Sequence, residues 1–186
     1  KNYPGLELLG RRPFINLMQL IYGSIQLIKK REIQSLYEFL YPIATKSWYY
    51  SLYKNRGFFE KQILIPHEDF HSYLSEFEIL RKKFHPTIVM SSCKAFSGQP
   101  RYLNFNGSGT VMTLDLPKTT ANLDFLQALD ELNCEYKIIT NLLKDSHISQ
   151  RSIQRQFPEY FRFKEDLSIF DPKRIFRSHL SERLGI

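Results

Sequence analysis

Apolar side chains switch between two spacings along the chain, and each switch marks an element. FFEKQILIP (58–66) is rich in β-branched and aromatic residues and is stopped by Pro66, which predicts a strand. HEDFHSYLSEFEILRKKF then places Phe70, Tyr73, Leu74, Phe77, Leu80 and Phe84 on one helical face. Glu68 and Asp69 fall in its expected first turn, where carboxylates suit the helix dipole. HPTIVMSSCKAF predicts a second strand, SGQPRYLNFNGSG a loop and TVMTLDLP a third strand. TTANLDFLQALDELN aligns Phe125, Leu126, Leu129 and Leu132 as another helix, and EYKIIT supplies a fourth strand. The order β-α-β-β-α-β is the split unit of ferredoxin-like folds: an α+β antiparallel sheet with both helices on one face.

Helical extensions flank this unit. At the N-terminal side, PFINLMQLIYGSIQLI puts Asn16, Gln19, Gly23, Gln26 and Lys30 at helical spacing, with Phe14, Leu17, Met18, Ile21, Ile25 and Ile28 as the opposite stripe. The segment 43–54 also predicts a helix. At the other end, a helix is expected around SQRSIQRQF. A last one is expected to be opened by Asp171 and Pro172, with Phe176, Leu180 and Leu184 anchoring it.

Of 186 residues, 42% are hydrophobic and 15% aromatic, which gives material for a packed core and excludes wholesale disorder. The net charge of +7 is uneven. Lys1, Arg11, Arg12, Lys29, Lys30 and Arg31 face Glu7 alone, so five of the seven net charges lie in the first 31 residues. Two readings of that stretch stay open: a helix packed on the body of the protein, and an interfacial helix whose basic flanks rest on a membrane. No apolar run reaches the roughly 18 residues of a membrane span. The expected location is cytoplasmic or peripheral at the inner membrane face. Without an initiator methionine, the chain reads as part of a longer polypeptide.

Few motifs carry chemistry by themselves. Cys93 and Cys134 cannot build a disulfide framework or a multi-cysteine zinc site, and Cys134 reads as structural. His67-Glu68-Asp69-Phe70-His71 satisfies H-E-x-x-H, but its acids suit any helix start, its Phe70 suits the core, and no third ligand is nominated. No metal site is expected. Gly107-Ser108-Gly109 is too short for a dinucleotide fingerprint. A basic, aromatic, ferredoxin-like chain also describes an RNA-recognition module, but TIVMSSCKA and TVMTLDLP lack the base-stacking aromatics of such modules. Nucleic acid is therefore not an expected partner. Lys144, after the fourth strand and beside Leu142 and Leu143, has two readings. It is either a surface lysine paired with Asp145 or a partly desolvated cation that steadies negative charge on a ligand.

From residue 36 onward, an ordered series of landmarks stands in the sequence. It comprises LYEFLYPIATKSWYYSLYKNRGFFEKQILIP, then Cys93-Lys94-Ala95-Phe96 ahead of a Gly/Pro loop, then Gly109-x5-Asp115-x-Pro117 and Leu129-Asp130. Lys144-Asp145-Ser146, Phe157-Pro158 and Asp171-Pro172-x3-Phe176-x-Ser178-x-Leu180-Ser181-x-Arg183-Leu184 follow. This series resembles the C-terminal substrate-binding (cap) part of vanillyl-alcohol-oxidase-type FAD-linked oxidases. The likeness is to the sugar-lactone (D-arabinono-1,4-lactone) oxidase branch, and within it to the decaprenylphosphoryl-β-D-ribose oxidase family.

The resemblance implies a division into residues 1–35, the remnant of a connection to an N-terminal FAD-binding domain, and a cap domain over 36–186. It implies FAD held mainly by that other domain, and oxidation of a secondary alcohol on a sugar, sugar lactone or polyprenyl-phosphate sugar. The fragment alone would be inactive. A partner reductase would complete an epimerisation. Lys144 would be the catalytic and flavin-facing residue. Gln62, Lys94, Thr113, Asp115 and Asn141 would line the substrate cavity. Two departures border that cavity: Thr110-Val111-Met112-Thr113 replaces an aromatic-Asn-x-Cys stretch, and Asn141 replaces a tyrosine. A cap that binds a ligand or partner without redox chemistry is the alternative, and an RNA-binding module a further one.

Overall fold

The computed structural model describes residues 12–28, 33, 35–41, 49, 50, 52, 53 and 57–186. The chain divides into two compact units, residues 1–58 and 59–186.

In the first unit, the alternating N-terminal stretch forms helix α1 (Arg12–Ile28). Its apolar stripe is exposed, with Phe14, Leu17, Met18, Ile21 and Ile25 roughly half accessible and Ile28 more so, whereas Ile15 is buried. Among the described residues no helix is long and apolar enough to cross a membrane. Helix α2 (Leu36–Leu40) starts with a capping box: the Ser35 hydroxyl accepts from the Glu38 N–H, and the Glu38 carboxylate accepts from the Ser35 N–H. The helix expected over 43–54 lies largely outside the described residues, which include its Tyr49, Tyr50, Leu52 and Tyr53. Tyr53 donates its hydroxyl to Tyr49 at 2.6 Å and stacks on Phe58 at 4.7 Å.

The second unit carries the split β-α-β-β-α-β arrangement. Its elements are β1 (Phe58–Ile65), α3 (Phe70–Phe84), β2 (Met90–Phe96), β3 (Gly109–Pro117), α4 (Thr120–Glu135) and β4 (Ile139–Thr140). The strands lie in the order β2-β3-β1-β4, so β3 sits between β1 and β2, and β1 between β3 and β4. Ile63 faces Thr140 across the antiparallel β1–β4 pair, and β2 runs against β3 from Met90↔Asp115 to Phe96↔Gly109. This is the α+β architecture the pattern predicts.

Alternation fixes which residues meet the helices. Ile63 and Ile65 of β1 and Met112, Leu114 and Leu116 of β3 point to one face. There they pack against Tyr73 and Phe77 of α3 and Phe125, Leu126, Leu129 and Leu132 of α4. Phe77 meets Phe125 edge-on at 5.9 Å. The Tyr73 hydroxyl donates to Asn133 at 2.6 Å; burial, and then the Asp130 charge, push its phenol well above its ordinary range.

A second apolar cluster gathers Leu142 and Ile148 with α5 (Gln150–Gln156), α6 (Tyr160–Phe170) and α7 (His179–Leu184), through Ile153, Phe157, Tyr160 and Leu184. The Tyr160 hydroxyl donates to the Leu184 carbonyl at 2.7 Å and ties the C-terminus to this cluster. Cys134 is buried with its thiol donating to the Ser152 carbonyl at 3.6 Å, a structural position.

Four boundaries differ from the sequence reading. Helix α3 begins at Phe70, because residues 66–69 close a turn in which the Asp69 N–H bonds the Pro66 carbonyl, so Glu68 and Asp69 precede the helix. Strand β4 is only two residues long: Tyr136 and Ile138 N–H groups cap the Leu132 and Asn133 carbonyls around a left-handed Lys137, which draws EYK into the helix terminus. Helix α6 has no counterpart in the reading. The last helix opens at Ser178 through its own capping box; Asp171 instead accepts from the Ile175 and Phe176 N–H groups at 2.9 Å, closing a turn. Phe176 is consequently 72% exposed, and of the three expected anchors Leu180 and Leu184 pack on this cluster, joined by Ile186.

Two substitutions test this packing. Leu129→Ala, at a fully buried position, should lower unfolding free energy by about 2–5 kcal/mol in a urea titration. Gly109→Ala should also destabilise, because a Cβ there would lie 2.1 Å from the Ile65 carbonyl oxygen of the neighbouring strand, and an unchanged midpoint would contradict the β1–β3 apposition.

Candidate functional site

The period of two that buries Ile63 and Ile65 turns their neighbours the other way. Glu60, Gln62 and Leu64 of β1 and Val111, Thr113 and Asp115 of β3 occupy the face turned from the helices. The β2–β3 register adds Met90, Ser92 and Lys94 opposite Asp115, Thr113 and Val111. Beyond β4, Asn141 donates its backbone N–H to the Gln62 carbonyl at 2.8 Å, which brings its side chain onto the same face.

A chain of hydrogen bonds crosses this surface. The Asn141 amide donates to the Gln62 Oε1 at 2.6 Å, and the Gln62 Nε2 donates to the Thr113 hydroxyl at 3.0 Å. Residues 141–144 form a turn, with the Lys144 N–H on the Asn141 carbonyl at 3.2 Å and the Leu143 N–H on its side-chain oxygen at 3.1 Å. That turn delivers the Lys144 ammonium to the Glu60 carboxylate. The Lys144 side chain keeps 41% of its surface accessible.

All six residues expected to form a site, Gln62, Lys94, Thr113, Asp115, Asn141 and Lys144, therefore share one sheet face. Gln62, Thr113 and Asn141 are bonded together, Lys144 pairs with Glu60 beside them, and Lys94 stands exposed on the edge strand. Asp115 is buried on the same face. The loop 97–108 covers the face near Leu64: Gly107 approaches so closely that a Cβ would meet the Leu64 side chain at 2.7 Å. Tyr102 pins the loop, its N–H donating to Glu159 at 2.6 Å and its hydroxyl to Asp166 at 2.8 Å.

Glu60 escapes the sequence reading although it adjoins Gln62 by parity. A second group on the helical side escapes it as well. Lys61, between Phe59 and Ile63, points into the core with no exposed surface and pairs with Asp130 and, at 2.9 Å, with Asp145. Asp145 also takes Arg183 at 3.2 Å and the N–H groups of His147 and Ile148 at 2.9 and 2.6 Å. Desolvation pushes the Asp145 carboxyl up, but Lys61, His147 and these N–H groups outweigh it and hold it below its ordinary value. Lys144 and Asp145 thus serve opposite sides of the sheet, and the alternative Lys144–Asp145 pair does not form. The signal for this cluster is in the strand pattern itself: a lysine at an inward position of a buried strand demands a carboxylate partner.

The His147 ring lies 3.2 Å from Asp130 and 3.5 Å from Asp145, and the ligand atoms of these three residues fall within 4.8 Å of one another. The Lys61 and Arg183 cations already balance the two carboxylates, so a divalent ion would compete with an ammonium in place. His67 and His71 are not in this group; with α3 starting at Phe70 they do not share a helix, which removes the geometric premise of H-E-x-x-H zinc binding. An open cleft of about 580 Å³ borders the cluster, lined among others by Phe84, Asp124, Asp130, Glu131, His147 and Ser152. It lies on the helical side and contains none of the six expected site residues.

The fold and site define a ferredoxin-like α+β domain with a polar, hydrogen-bonded second face. No protein-family model matches the chain. Over 92 residues it is 32% identical to a Streptomyces coelicolor protein described as "Uncharacterized protein in mprA 5'region". The match takes in 48% of this chain and 24% of the other, so it spans about a quarter of that protein's length.

Lys61→Met should cost about 3–5 kcal/mol in chemical unfolding, because it strands two buried carboxylates. Adding Asp130→Leu should recover part of that loss, and strict additivity of the two changes would show them to be uncoupled. Asp145 has its folded-state pKa depressed, so its contribution is fully present above its ordinary value of 3.8 and is lost as pH falls through the folded value. The stability gap between the protein and Asp145→Asn should therefore be widest near neutrality and close below about pH 4; a gap independent of pH would contradict the pairing.

Proposed function

We propose that the chain is the substrate-binding cap domain of an FAD-dependent oxidoreductase that oxidises a secondary alcohol of a sugar, sugar lactone or polyprenyl-phosphate sugar. One observation carries this reading. Six positions nominated by the family resemblance come from four separate segments of the sequence, and all six lie on a single face of the sheet.

The donor set suits the ring of the cofactor and not its diphosphate. The Lys144 ammonium, the Gln62 and Asn141 amides and the Thr113 hydroxyl are the groups that would meet ring carbonyls and nitrogens, or sugar hydroxyls. A Gly-rich loop of backbone N–H groups for the pyrophosphate is absent from the sequence given, so the proposal assigns that task to a separate domain. Bound FAD would supply the hydride acceptor. Lys144 would hold positive charge beside it, Gln62, Asn141 and Thr113 would orient the sugar, and Lys94 would offer a cation at the rim for a phosphate-bearing substrate. The loop 97–108 would limit access of water to this face. By the same resemblance, a partner reductase would return the ketone to an alcohol of opposite configuration. The exposed apolar stripe of α1 is compatible with a lipid-tailed substrate held near a membrane.

The RNA-binding alternative has less support. Apart from Phe58 at the start of β1, whose ring is stacked on Tyr53, the outward positions Glu60, Gln62, Leu64, Val111, Thr113 and Asp115 of the central strands carry no aromatic ring and include two acids.

In the full-length holoprotein, flavin bleaching by farnesylphosphoryl-β-D-ribose or D-arabinono-1,4-lactone should be visible in anaerobic stopped flow. Lys144→Ala should slow it by about a hundredfold. A reduction rate unchanged by that substitution would remove Lys144 from the chemistry. A holoprotein that binds these sugars but is never reduced would favour the non-redox cap.

A further inference from the structure

Oxidising a carbinol requires two acceptors, one for the hydride and one for the hydroxyl proton. The resemblance nominates residues near the hydride acceptor and none for the proton. Among the described residues of the sheet, two carboxylates lie on the face that carries the site, Glu60 and Asp115. Asp115 is only 4% exposed. The Glu60 side chain keeps about a quarter of its surface accessible and is bonded to Lys144. It sits two residues before Gln62, on the same side of β1.

We propose that Glu60 is the general base of the reaction. This inference rests on the oxidoreductase reading above. In the step it assigns, the carbinol C–H bond breaks and its electron pair leaves with the hydrogen as hydride to the oxidised flavin. The O–H bond breaks, its proton passes to the Glu60 carboxylate, and the carbon–oxygen double bond forms. The alcohol loses two electrons and the flavin gains them.

The pairing with Lys144 gives the proton a second consequence. Before reaction, the ammonium and the carboxylate neutralise each other. Once Glu60 is protonated, the Lys144 charge is uncompensated at the moment when the reduced flavin acquires negative charge. Charge moves in step across one contact: the proton that leaves the substrate unmasks the cation that stabilises the product state. A lysine without this partner would present its full charge to the neutral ring as well, and so discriminate less between the two states. Position favours Glu60 too, since it is bonded to Lys144 and lies two residues along the strand from Gln62, which holds Asn141.

The test uses Glu60→Gln in the full-length flavoprotein, a near-isosteric change that keeps a hydrogen-bonding side chain beside Lys144. Three quantities are read: the flavin reduction rate constant, the dissociation constant of the alcohol from its perturbation of the oxidised flavin spectrum, and the rate with added formate or acetate. The expected result is a 10²–10³-fold slower reduction with a binding constant changed less than tenfold, and partial rescue by the small carboxylates. Reduction within threefold of the unmodified protein would overturn the assignment. So would equal losses in binding and rate without rescue, the signature of a merely structural pair. If Glu60→Gln does not accumulate folded protein, Glu60→Asp, which keeps the base and shifts it, should show an intermediate rate that added formate or acetate does not raise; a rate equal to that of the unmodified protein would overturn the assignment. Failure of the underlying reading is separate: the unmodified protein would then not be reduced by the alcohol at all.

Discussion

A lysine buried without exposed surface among aromatic and aliphatic side chains obliges carboxylates to come to it, and around Lys61 they arrive from two directions. Asp130 comes from the middle of α4, and Asp145 from the turn that leaves β4. Arg183 then reaches Asp145 from the last helix. One charge cluster thus joins β1, α4, the 141–148 connection and α7, and it can be satisfied only if all four are in place. Because the desolvated ions have no water to fall back on, loss of any member strands another.

The position of that cluster sets the geometry of the opposite face. Asp145 is held inward by Lys61, Arg183 and its own turn of N–H groups, and its neighbour Lys144 is thereby directed to the other side of the sheet, onto Glu60. The same alternation that buries Lys61 exposes Glu60 and Gln62 on either side of it along β1. Two adjacent residues of one strand and two adjacent residues of one turn, Lys61 with Glu60 and Asp145 with Lys144, form two ion pairs on opposite faces. The inner pair is structural and nearly dry; the outer one is accessible to solvent. A fold that needs the first obtains the second from the strand period alone.

The family resemblance supplied candidate positions, and the sheet supplied a reason for grouping them. Gln62, Thr113 and Asn141 are distant in sequence yet lie along one run of side-chain hydrogen bonds, with Lys144 paired to Glu60 beside it, whereas the cleft on the helical side collects a different set of acids and serines. The contrast matters for function, since this cleft and the convergent polar face do not coincide. The closing loop 97–108, fixed through Tyr102 to α6, gives the polar face a partial cover that its strands alone would not provide.

Sequence by itself determined the two helices and the first three strands of the split unit, because hydrophobic periodicity over eight or more residues reports which side of an element is buried. It also determined the parity of every strand residue, so that Gln62 and Thr113 could be assigned to one side once the core side was known. It did not determine that β4 would be two residues long, since the α4 terminus competes for residues 136–138 through local backbone bonds that the side-chain pattern of EYKIIT conceals. Nor did it determine the start of the last helix, where Asp171 and Ser178 are both competent caps and packing of Leu184 against Tyr160 selects the second. The partners of Lys61 and Lys144 were decided by tertiary structure alone. Charges separated by 69 or 84 positions along the chain meet only after the sheet order has formed, and nothing in local spacing records which carboxylate each cation will find.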